Sequence, residues 1–151
     1  MTTIGELCMR DVVVGTSEMT VAAAAKLMRH QHIGCIVVVD KTDGGLDIPL
    51  GIVTDRDIVV EVAATDLDPS TITVGDIMPH ELVTARADEG TLEAMRIMRS
   101  KGVRRLPVVT EEGRLVGLIA FDDLLELVTE QLSDLTKVVG REQAREATER
   151  K

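Results

Sequence analysis

Two residues that could do chemistry stand three positions apart at Thr54 and Asp57, in the stretch "GIVTDRDIV". A hydroxyl followed three residues later by a carboxylate is typical of a helix start, where both side chains accept hydrogen bonds from backbone amides. The same groups also suit a ligand, because a carboxylate accepts hydrogen bonds from the vicinal hydroxyls of a ribose. The free amides of a helix N-terminus suit a phosphate. Both interpretations stay open here, since one pair of residues can serve both roles.

A second copy of this stretch follows at an offset of 66 residues. The segment "GLIAFDDLLELV" aligns with "GIVTDRDIVVEV", which places Ala120 on Thr54 and Asp123 on Asp57. Replacing an N-cap Thr by Ala costs about 1 kcal/mol, and it removes a side-chain contact to phosphate. We therefore predict that the Thr54/Asp57 site is complete and that the Asp123 site is weaker or differently selective.

Three arginines are candidates for binding an anion. Arg104 and Arg105 begin "RRLPVV", a stretch that is otherwise apolar and reads as a strand. The fork geometry of the guanidinium favours phosphate, whereas a solvated or ion-paired strand edge is the alternative. Arg56, at the predicted helix start, is either a further phosphate ligand or a surface charge.

Catalytic and metal-binding patterns are not evident in the sequence. His30 and His32 are two residues apart near a helix end, where they would not face one another, so we expect no metal site. Cys8 and Cys35 form no C-x-x-C pair and read as reduced, buried thiols. The sequence contains no G-x-S-x-G, no P-loop and no cysteine with an evident base, so we expect no enzyme.

The elements that must position these residues occur twice. At an offset of 70, "AAKLMRHQHIGCIVVVD" aligns with "AMRIMRSKGVRRLPVVT". Each copy reads as a short leader, an extended apolar segment, a helix, two strands and a final helix, which is the order β-α-β-β-α. The predicted extended segments and first helices are Val12–Val14 with Val21–His30 and Leu82–Thr84 with Leu92–Ser100. The final helices are predicted to begin at Asp55 and Asp122. Apolar strands alternating with helices indicate an α/β fold with sheets covered by helices.

The repeats also divide the chain. We predict a first repeat over residues 1–63, a polar linker over 64–73, a second repeat over 74–129 and a helical tail over 130–151. The first repeat's four extra residues fall between Lys41 and Leu50, in a segment with the composition of a turn. In the tail, apolar residues continue a helical stripe toward Gly140, which is a plausible helix stop. This helix is expected to pack on the body or on another subunit.

Composition restricts the classes of partner. The chain has 151 residues with a net charge of −9, one Phe, no Tyr and no Trp. A polyanion would be repelled, and single-stranded nucleic acid would find few aromatic side chains to stack on, so no nucleic-acid partner is expected. The apolar stretches are too short to span a bilayer, and no signal peptide is evident, so we expect no membrane partner and a cytoplasmic location.

The tandem unit resembles the CBS domain family. The resemblance rests on "GIVTDRD" and "GLIAFDD", on the strand at Arg104, and on the leaders "GELCMRDV" and "VGDIMPHELV". It covers about residues 3 to 129 in two copies. It implies a CBS pair, or Bateman module, whose repeats pack through their sheets with pseudo-twofold symmetry. It further implies two clefts between the repeats, which bind AMP, ADP, ATP or NAD.

The resemblance also implies residue roles. Thr54 and Asp57 would hold ribose and phosphate in one cleft, Asp123 would hold ribose in the other, and the arginines would reach phosphates that point inward. The adenine would lie against Val12, Val14, Gly34 and Ile36 in the first site and against Leu82, Thr84, Leu106 and Pro107 in the second.

The predicted function is that of a non-catalytic regulatory module without a catalytic cofactor. It would bind an adenine nucleotide, as in energy sensing, form a homodimer and signal to a protein that the sequence does not identify. The alternative is a constitutive interaction module with vestigial clefts, which Ala120 favours. An enzyme acting on a nucleotide is a third hypothesis, and the absence of an evident nucleophile or metal cluster speaks against it.

Overall fold

Each repeat folds as a three-stranded sheet with packed helices, in a computed structural model that describes residues 1–41, 45 and 47–150. The elements of the first repeat are α1 (Ile4–Leu7), β1 (Val14–Gly15), α2 (Val21–Gln31), β2 (Cys35–Lys41), β3 (Asp47–Thr54) and α3 (Asp55–Ile58), which continues as a π-helical turn over Val59–Ala63. Those of the second are α4 (Val74–Ile77), β4 (Ala85–Arg86), α5 (Thr91–Lys101), β5 (Arg105–Val109), β6 (Leu115–Ala120) and α6 (Phe121–Glu149). The predicted α/β class and the twofold β-α-β-β-α order are confirmed.

The two sheets share one topology. Their strand orders are β1-β2-β3 and β4-β5-β6; in each, the first pair is parallel and the second antiparallel. The register shifts after Val38 in one sheet and after Val108 in the other. These positions are equivalent at the offset of 70, so even the irregularity of the sheet is repeated.

The first long helices of the two repeats, α2 and α5, end in the same way. α2 begins after Thr20, whose hydroxyl accepts a hydrogen bond from the Ala23 amide at 3.1 Å. It ends at His32, and α5 ends at Gly102; both residues have left-handed backbone conformations, with φ of 56° and 67°. Such a residue closes the last turn of a helix. The predicted bounds of both helices are confirmed to within one residue.

The short leader helices are exchanged between the repeats. The Gly5 amide of α1 donates to the carbonyl of Ala87 in the second repeat at 2.9 Å. The Gly75 amide of α4 donates to the carbonyl of Ser17 in the first repeat, also at 2.9 Å. A Cβ atom at either glycine would lie 2.9 Å from that same carbonyl oxygen. Each leader can therefore approach the other repeat this closely only because glycine stands there.

The exchange carries into the hydrophobic cores. The second repeat's core contains Ile4 and Cys8 from the first leader, and the first repeat's core contains Val74 from the second leader. A third cluster joins the two sheets through Val37, Val39 and Leu118. Neither repeat therefore completes its own core, and the two form one packed unit related by pseudo-twofold symmetry.

Three local predictions differ from the structure. The paired part of each first strand is two residues long and lies later than predicted, at Val14–Gly15 and Ala85–Arg86. β3 begins at Asp47, inside the predicted turn; most of the remaining turn, residues 42–44 and 46, lies outside the described residues. The predicted stop at Gly140 is wrong, because α6 continues to Glu149. An interior Gly costs a helix only about 1 kcal/mol relative to Ala, which cooperative hydrogen bonding on both sides can outweigh.

Candidate functional site

The Thr54 hydroxyl and the Asp57 carboxylate form the cap at the start of α3. The Asp57 amide donates to Thr54 Oγ1 at 3.2 Å. The Thr54 amide and hydroxyl donate to Asp57 Oδ2 at 2.8 and 3.0 Å. Because the bonds to this carboxylate use Oδ2, the other oxygen, Oδ1, is left for other donors. The cap thus fixes the carboxylate in place without using all its capacity as an acceptor.

This cap lies in a cleft between the repeats with a volume of about 370 Å³. The first repeat contributes Ile52 and Thr54–Asp57, and the second contributes Pro79, Glu81, Val83 and Gly102–Arg105. Its size is in the range of small-molecule sites, and its lining combines apolar side chains with a few charged groups, as such sites do. The structure therefore brings together Thr54, Arg56, Asp57, Arg104 and Arg105.

Arg104 reaches out of the cleft toward the start of α6. Its guanidinium carbon lies 5.2 Å from the centre of the Phe121 ring, and Nη2 lies 3.7 Å from Asp122 Oδ1. The side chain is 75% exposed, so this ion pair is screened by water and is weak. The Arg104 guanidinium is thus held loosely beside the cleft and can turn toward an anion at little cost.

Gly34 stands where Arg105 and Asp55 approach β2. A Cβ atom at Gly34 would lie 3.2 Å from Asp55 Oδ2 and 3.6 Å from Arg105 Nη2. The Asp55 amide donates to the Gly34 carbonyl at 3.0 Å. Gly34 was predicted to contact adenine; the structure instead shows it making room for two charged side chains, one from each repeat.

The other predicted adenine contacts are not brought to this cleft. Ile36 and Leu106 have no exposed surface and belong to the cores of the two repeats, and Pro107 is also fully buried. Val12 and Val14 pack at the junction of the two sheets. None of these five side chains lines the cleft. Ile36, Leu106 and Pro107 have no exposed surface to offer a ligand, whereas Val12 and Val14 are only partly buried.

The segment before β4 presents a different residue to the cleft from those predicted. Leu82 and Thr84 were predicted to contact adenine, but the residue that lines the cleft is Val83, between them. Successive side chains of an extended segment point in opposite directions, so a one-residue error exchanges the two faces. Apart from Ile52, the apolar residues that line the cleft with Thr54 are Pro79, Val83 and Val103, which come from the second repeat.

The equivalent cleft of the other half is closed on one side. Met9 and Leu118 exchange two backbone hydrogen bonds of 2.9 Å, forming an isolated antiparallel bridge. Their counterparts are Pro79 and Ile52, and proline has no amide hydrogen to donate. A bridge of this kind therefore cannot form at Pro79, and both counterparts line the open cleft. The sequence signal was present, since proline replaces methionine at this position of the repeat.

Close packing against β6 reinforces this asymmetry. A Cβ atom at Gly117 would lie 2.5 Å from the Met9 carbonyl oxygen and 2.7 Å from Cys8 Sγ. At the equivalent Gly51, the nearest atom is Met78 Sδ, the flexible end of a side chain, at 3.1 Å. At β6 the first leader contributes backbone atoms to this contact, whereas at β3 the second leader contributes only the Met78 side chain.

The residues at the equivalent positions of the other cleft also differ in chemistry. Gly34 and Cys35 replace the two arginines, and Ala120 replaces the threonine. Asp123 keeps half of the cap, since its Oδ2 accepts the Ala120 amide at 2.8 Å. Its carboxylate borders a surface cavity that is also lined by Glu126 and Glu130. These carboxylates would repel a phosphate.

The predicted thiols and histidines take no part in a metal site within the described residues. No group of three or more His, Cys, Asp or Glu side chains is placed to hold a metal ion there. Burial raises the pKa of the Cys35 thiol above its ordinary value, and the nearby Arg105 opposes this only in part. Cys35 is therefore mainly a neutral thiol at neutral pH. No helix among the described residues is long and apolar enough to span a membrane.

Comparison with known proteins places this architecture among others of the same kind. A family model for the CBS domain matches residues 4–64 and again residues 74–130. An uncharacterized protein of Methanopyrus kandleri is 36% identical over 124 residues, a match that covers 82% of this chain and 61% of that relative. The hypoxic response protein 1 of Mycobacterium tuberculosis is 34% identical over 124 residues, covering 82% of this chain and 83% of the relative.

A solved structure shows the same fold. The crystal structure of Hypoxic Response Protein I with two coordinated zinc ions superposes with a TM-score of 0.72 at 32% identity. The match covers 83% of this chain and 98% of the other. The shared region therefore comprises both repeats.

Proposed function

The chain belongs to the CBS domain family, and from this premise we propose that it is a regulatory module that binds an adenine nucleotide in the Thr54–Asp57 cleft. Proteins built from CBS pairs generally bind adenosine ligands and regulate, and stand-alone members are generally non-catalytic. The resemblance noted in the sequence is thereby confirmed. The ligand we propose is AMP, ADP, ATP or NAD.

The observation that carries this proposal is the composition of one cleft. A carboxylate held by a cap stands on the first repeat's wall, and two guanidinium groups stand on the second repeat's wall. Asp57 Oδ1 would accept hydrogen bonds from the ribose hydroxyls as a charge-assisted pair. Arg104 and Arg105 would bind phosphate, for which the guanidinium fork is suited. Ile52, Val83 and Val103 would form the apolar slot for the base.

Binding across this cleft would regulate by fixing one arrangement of the repeats. The ligand would touch both walls, so it would bind most tightly to the arrangement that presents them together. That preference could bias a regulated protein or the self-association of this chain, which we propose forms a homodimer.

We further propose that each chain binds one nucleotide. The Met9–Leu118 bridge, the loss of both arginines and the carboxylates around Asp123 all act against a second ligand. Titration calorimetry with each nucleotide should therefore give about one site per chain rather than two.

The decisive experiment is to identify the small molecule released by the denatured protein and to measure thermal shifts. The protein has neither Trp nor Tyr, so adenine absorbance would dominate the near-ultraviolet spectrum of a loaded sample. At a hundredfold excess over Kd, a ligand should raise Tm by roughly 5–10 °C for a chain of this size. No released nucleotide and no shift with AMP, ADP, ATP or NAD would refute the proposal.

A second variant separates phosphate binding from nucleoside binding. Arg105→Gln should weaken ATP binding at least tenfold, because it removes a charge-assisted contact of about 1.5–3 kcal/mol. Adenosine binding should change much less. Equal losses for ATP and adenosine would contradict the assignment of Arg105 to the phosphates.

The alternative function is a constitutive interaction module with vestigial clefts. The completed cap favours it, because Thr54 and Asp57 have a structural role that needs no ligand. Under this alternative, substitutions at Asp57 alter stability alone, and nucleotides have no effect on the melting curve.

A further inference from the structure

The long C-terminal helix carries an apolar stripe that the proposed nucleotide site does not use. From Thr129 to Arg150, every residue of α6 and its C-cap is exposed. A helix standing free in water is marginally stable, and its stability in proteins comes mainly from packing one apolar face. This segment nevertheless has large apolar side chains, with Leu132 58% and Leu135 65% exposed.

The stripe has the spacing of a coiled coil. We define the α6 seam as the residues that follow one another at alternating intervals of four and three, namely Phe121, Leu125, Val128, Leu132, Leu135 and Val139. Alternating spacing of this kind is the a/d pattern by which one helix packs along another. It holds for six consecutive positions, and each of these side chains is at least partly exposed.

We propose that the α6 seam binds the same seam of a second copy of this chain, with the two helices antiparallel. The proposal rests on the self-association included in the proposed function and names its interface. It does not depend on nucleotide binding. In an antiparallel pair with its twofold axis beside Glu130, every seam residue meets a seam residue. Val128 lies opposite the partner's Leu132, and Phe121 lies opposite the partner's Val139.

Charge decides the direction of the pair. Residues 121–136 contain five acidic residues and no lysine or arginine, whereas residues 137–150 contain four basic and three acidic residues. A parallel pair would place the strongly acidic halves side by side. An antiparallel pair places each acidic half beside the half that carries the basic residues, which is favourable at moderate ionic strength.

A groove on the body of the protein could bind the end of the partner helix. A groove of about 350 Å³ runs between α5 and the start of α6, lined by Met95, Met98, Arg99, Val103, Phe121, Leu124, Leu125 and Val128. In the antiparallel register, the partner's Val139 lies at the Phe121 end of this groove. The exposed Val138 beside it adds a second apolar side chain to fill the space.

A lipid surface fits the stripe less well. Helices that lie on membranes carry lysine and arginine on the polar face and are attracted to anionic lipids. The polar face of the first half of α6 instead carries carboxylates. Binding of the monomer to anionic vesicles would therefore count against the proposal.

The test is the mass of the full chain in solution, measured by sedimentation equilibrium. The double variant Leu132→Glu with Leu135→Glu should raise the dissociation constant at least about a hundredfold, because it buries four carboxylates in the paired state. The matched control Ser133→Glu with Ala144→Glu adds the same charge on the outer face and should leave the constant nearly unchanged. Nucleotide affinity, measured in parallel, should be unchanged in both variants, since these positions lie away from the cleft. The helical circular-dichroism signal should fall only in the Leu132/Leu135 variant, because its α6 loses the partner helix.

Distance measurement tests the direction. With Cys35→Ser as background and a spin label at Ala144→Cys, an antiparallel pair should give a separation of about 42 Å. A parallel pair would give roughly 20 Å, and that result would overturn the antiparallel arrangement. A dimer unaffected by the Leu132/Leu135 variant would overturn the interface but leave self-association intact. A wild-type monomer at all concentrations would overturn both, whatever the protein's affinity for nucleotide.

Discussion

Substituting Asp57 by Asn separates the two roles of the side chain at the cleft. In the capping role, the group must accept a hydrogen bond from the Thr54 amide, which an amide oxygen can still do. In the ligand role, it must accept hydrogen bonds from two ribose hydroxyls as an anion. Asn has only one accepting group and carries no charge, so it preserves the first role and impairs the second.

The size of each effect follows from the contacts. Hydrogen bonds to a charged group contribute about 1.5–3 kcal/mol and neutral ones about 1 kcal/mol, so the ribose should lose roughly 2–3 kcal/mol. That corresponds to a nucleotide affinity about 30- to 150-fold weaker. The unliganded protein loses the interaction of the carboxylate with the helix dipole, about 0.3–1 kcal/mol. It also loses the charge assistance of the hydrogen bonds from the Thr54 amide and hydroxyl, about 0.5 kcal/mol each. Its Tm should therefore fall by roughly 3–8 °C.

The molecule supplies its own control at Asp123. The Ala120 amide donates to Asp123 Oδ2 at 2.8 Å, the same distance as from the Thr54 amide to Asp57 Oδ2. Asp123→Asn should thus lower Tm somewhat less than Asp57→Asn, because no hydroxyl at position 120 donates to Asp123. It should leave the nucleotide affinity unchanged. Calorimetric titration gives the affinities, and scanning calorimetry of the unliganded proteins gives the stabilities.

Two results would refute this reasoning. If Asp57→Asn binds nucleotide as tightly as the wild type, the carboxylate serves only as a cap. If Asp57→Asn and Asp123→Asn weaken binding equally, the two halves are equivalent, and the proposed asymmetry of the clefts is wrong.

Three further predictions test the packing. Gly75→Ala should lower Tm markedly, because its Cβ would lie 2.9 Å from the Ser17 carbonyl oxygen. Gly140→Ala, whose Cβ has nothing within 4 Å, should instead stabilise α6 by about 1 kcal/mol. Similar melting curves for the two variants would contradict the leader contact. Ile4→Ala should lower the free energy of unfolding by about 2–5 kcal/mol, because this fully buried side chain completes the core of the other repeat. Chemical denaturation should still show a single transition, and a second transition would mean that the repeats unfold separately. Because burial raises the pKa of Cys35, a smaller fraction of it than of a free thiol is thiolate at mildly alkaline pH. Iodoacetamide should therefore alkylate Cys35 more slowly than free cysteine. Rapid modification, measured by mass spectrometry, would argue against burial of this thiol.

Much of the architecture was predictable because its signals are local. The spacing of apolar residues placed α2 and α5, and the threonine and aspartate at 54 and 57 marked the start of α3. Local signals also misled. Gly140 reads as a helix stop, but a single unfavourable residue does not end a helix that propagates on both sides of it. The sequence predicts Leu82 and Thr84 at the cleft instead of Val83, because an extended segment only a few residues long gives little information on which face is inward.

The sequence by itself determined that two copies of one α/β unit exist and that Thr54 and Asp57 cap a helix, since these features depend on residues close together in the chain. Only the tertiary structure decided which residues share a cleft. The exchanged leaders and the packing of sheet against sheet place Thr54 in one cleft with Pro79, Val83 and Val103. Ile36 lies on the strand paired with that of Thr54, but its side chain is buried in the core of the first repeat. In the same packing, Pro79 cannot form a backbone bridge and its cleft stays open. Met9, at the equivalent position, forms two backbone hydrogen bonds with Leu118, and these close the other cleft on one side. Such contacts arise from many weak interactions between segments distant in sequence, so the difference between Met9 and Pro79 is visible in the sequence but the residues that each faces are not.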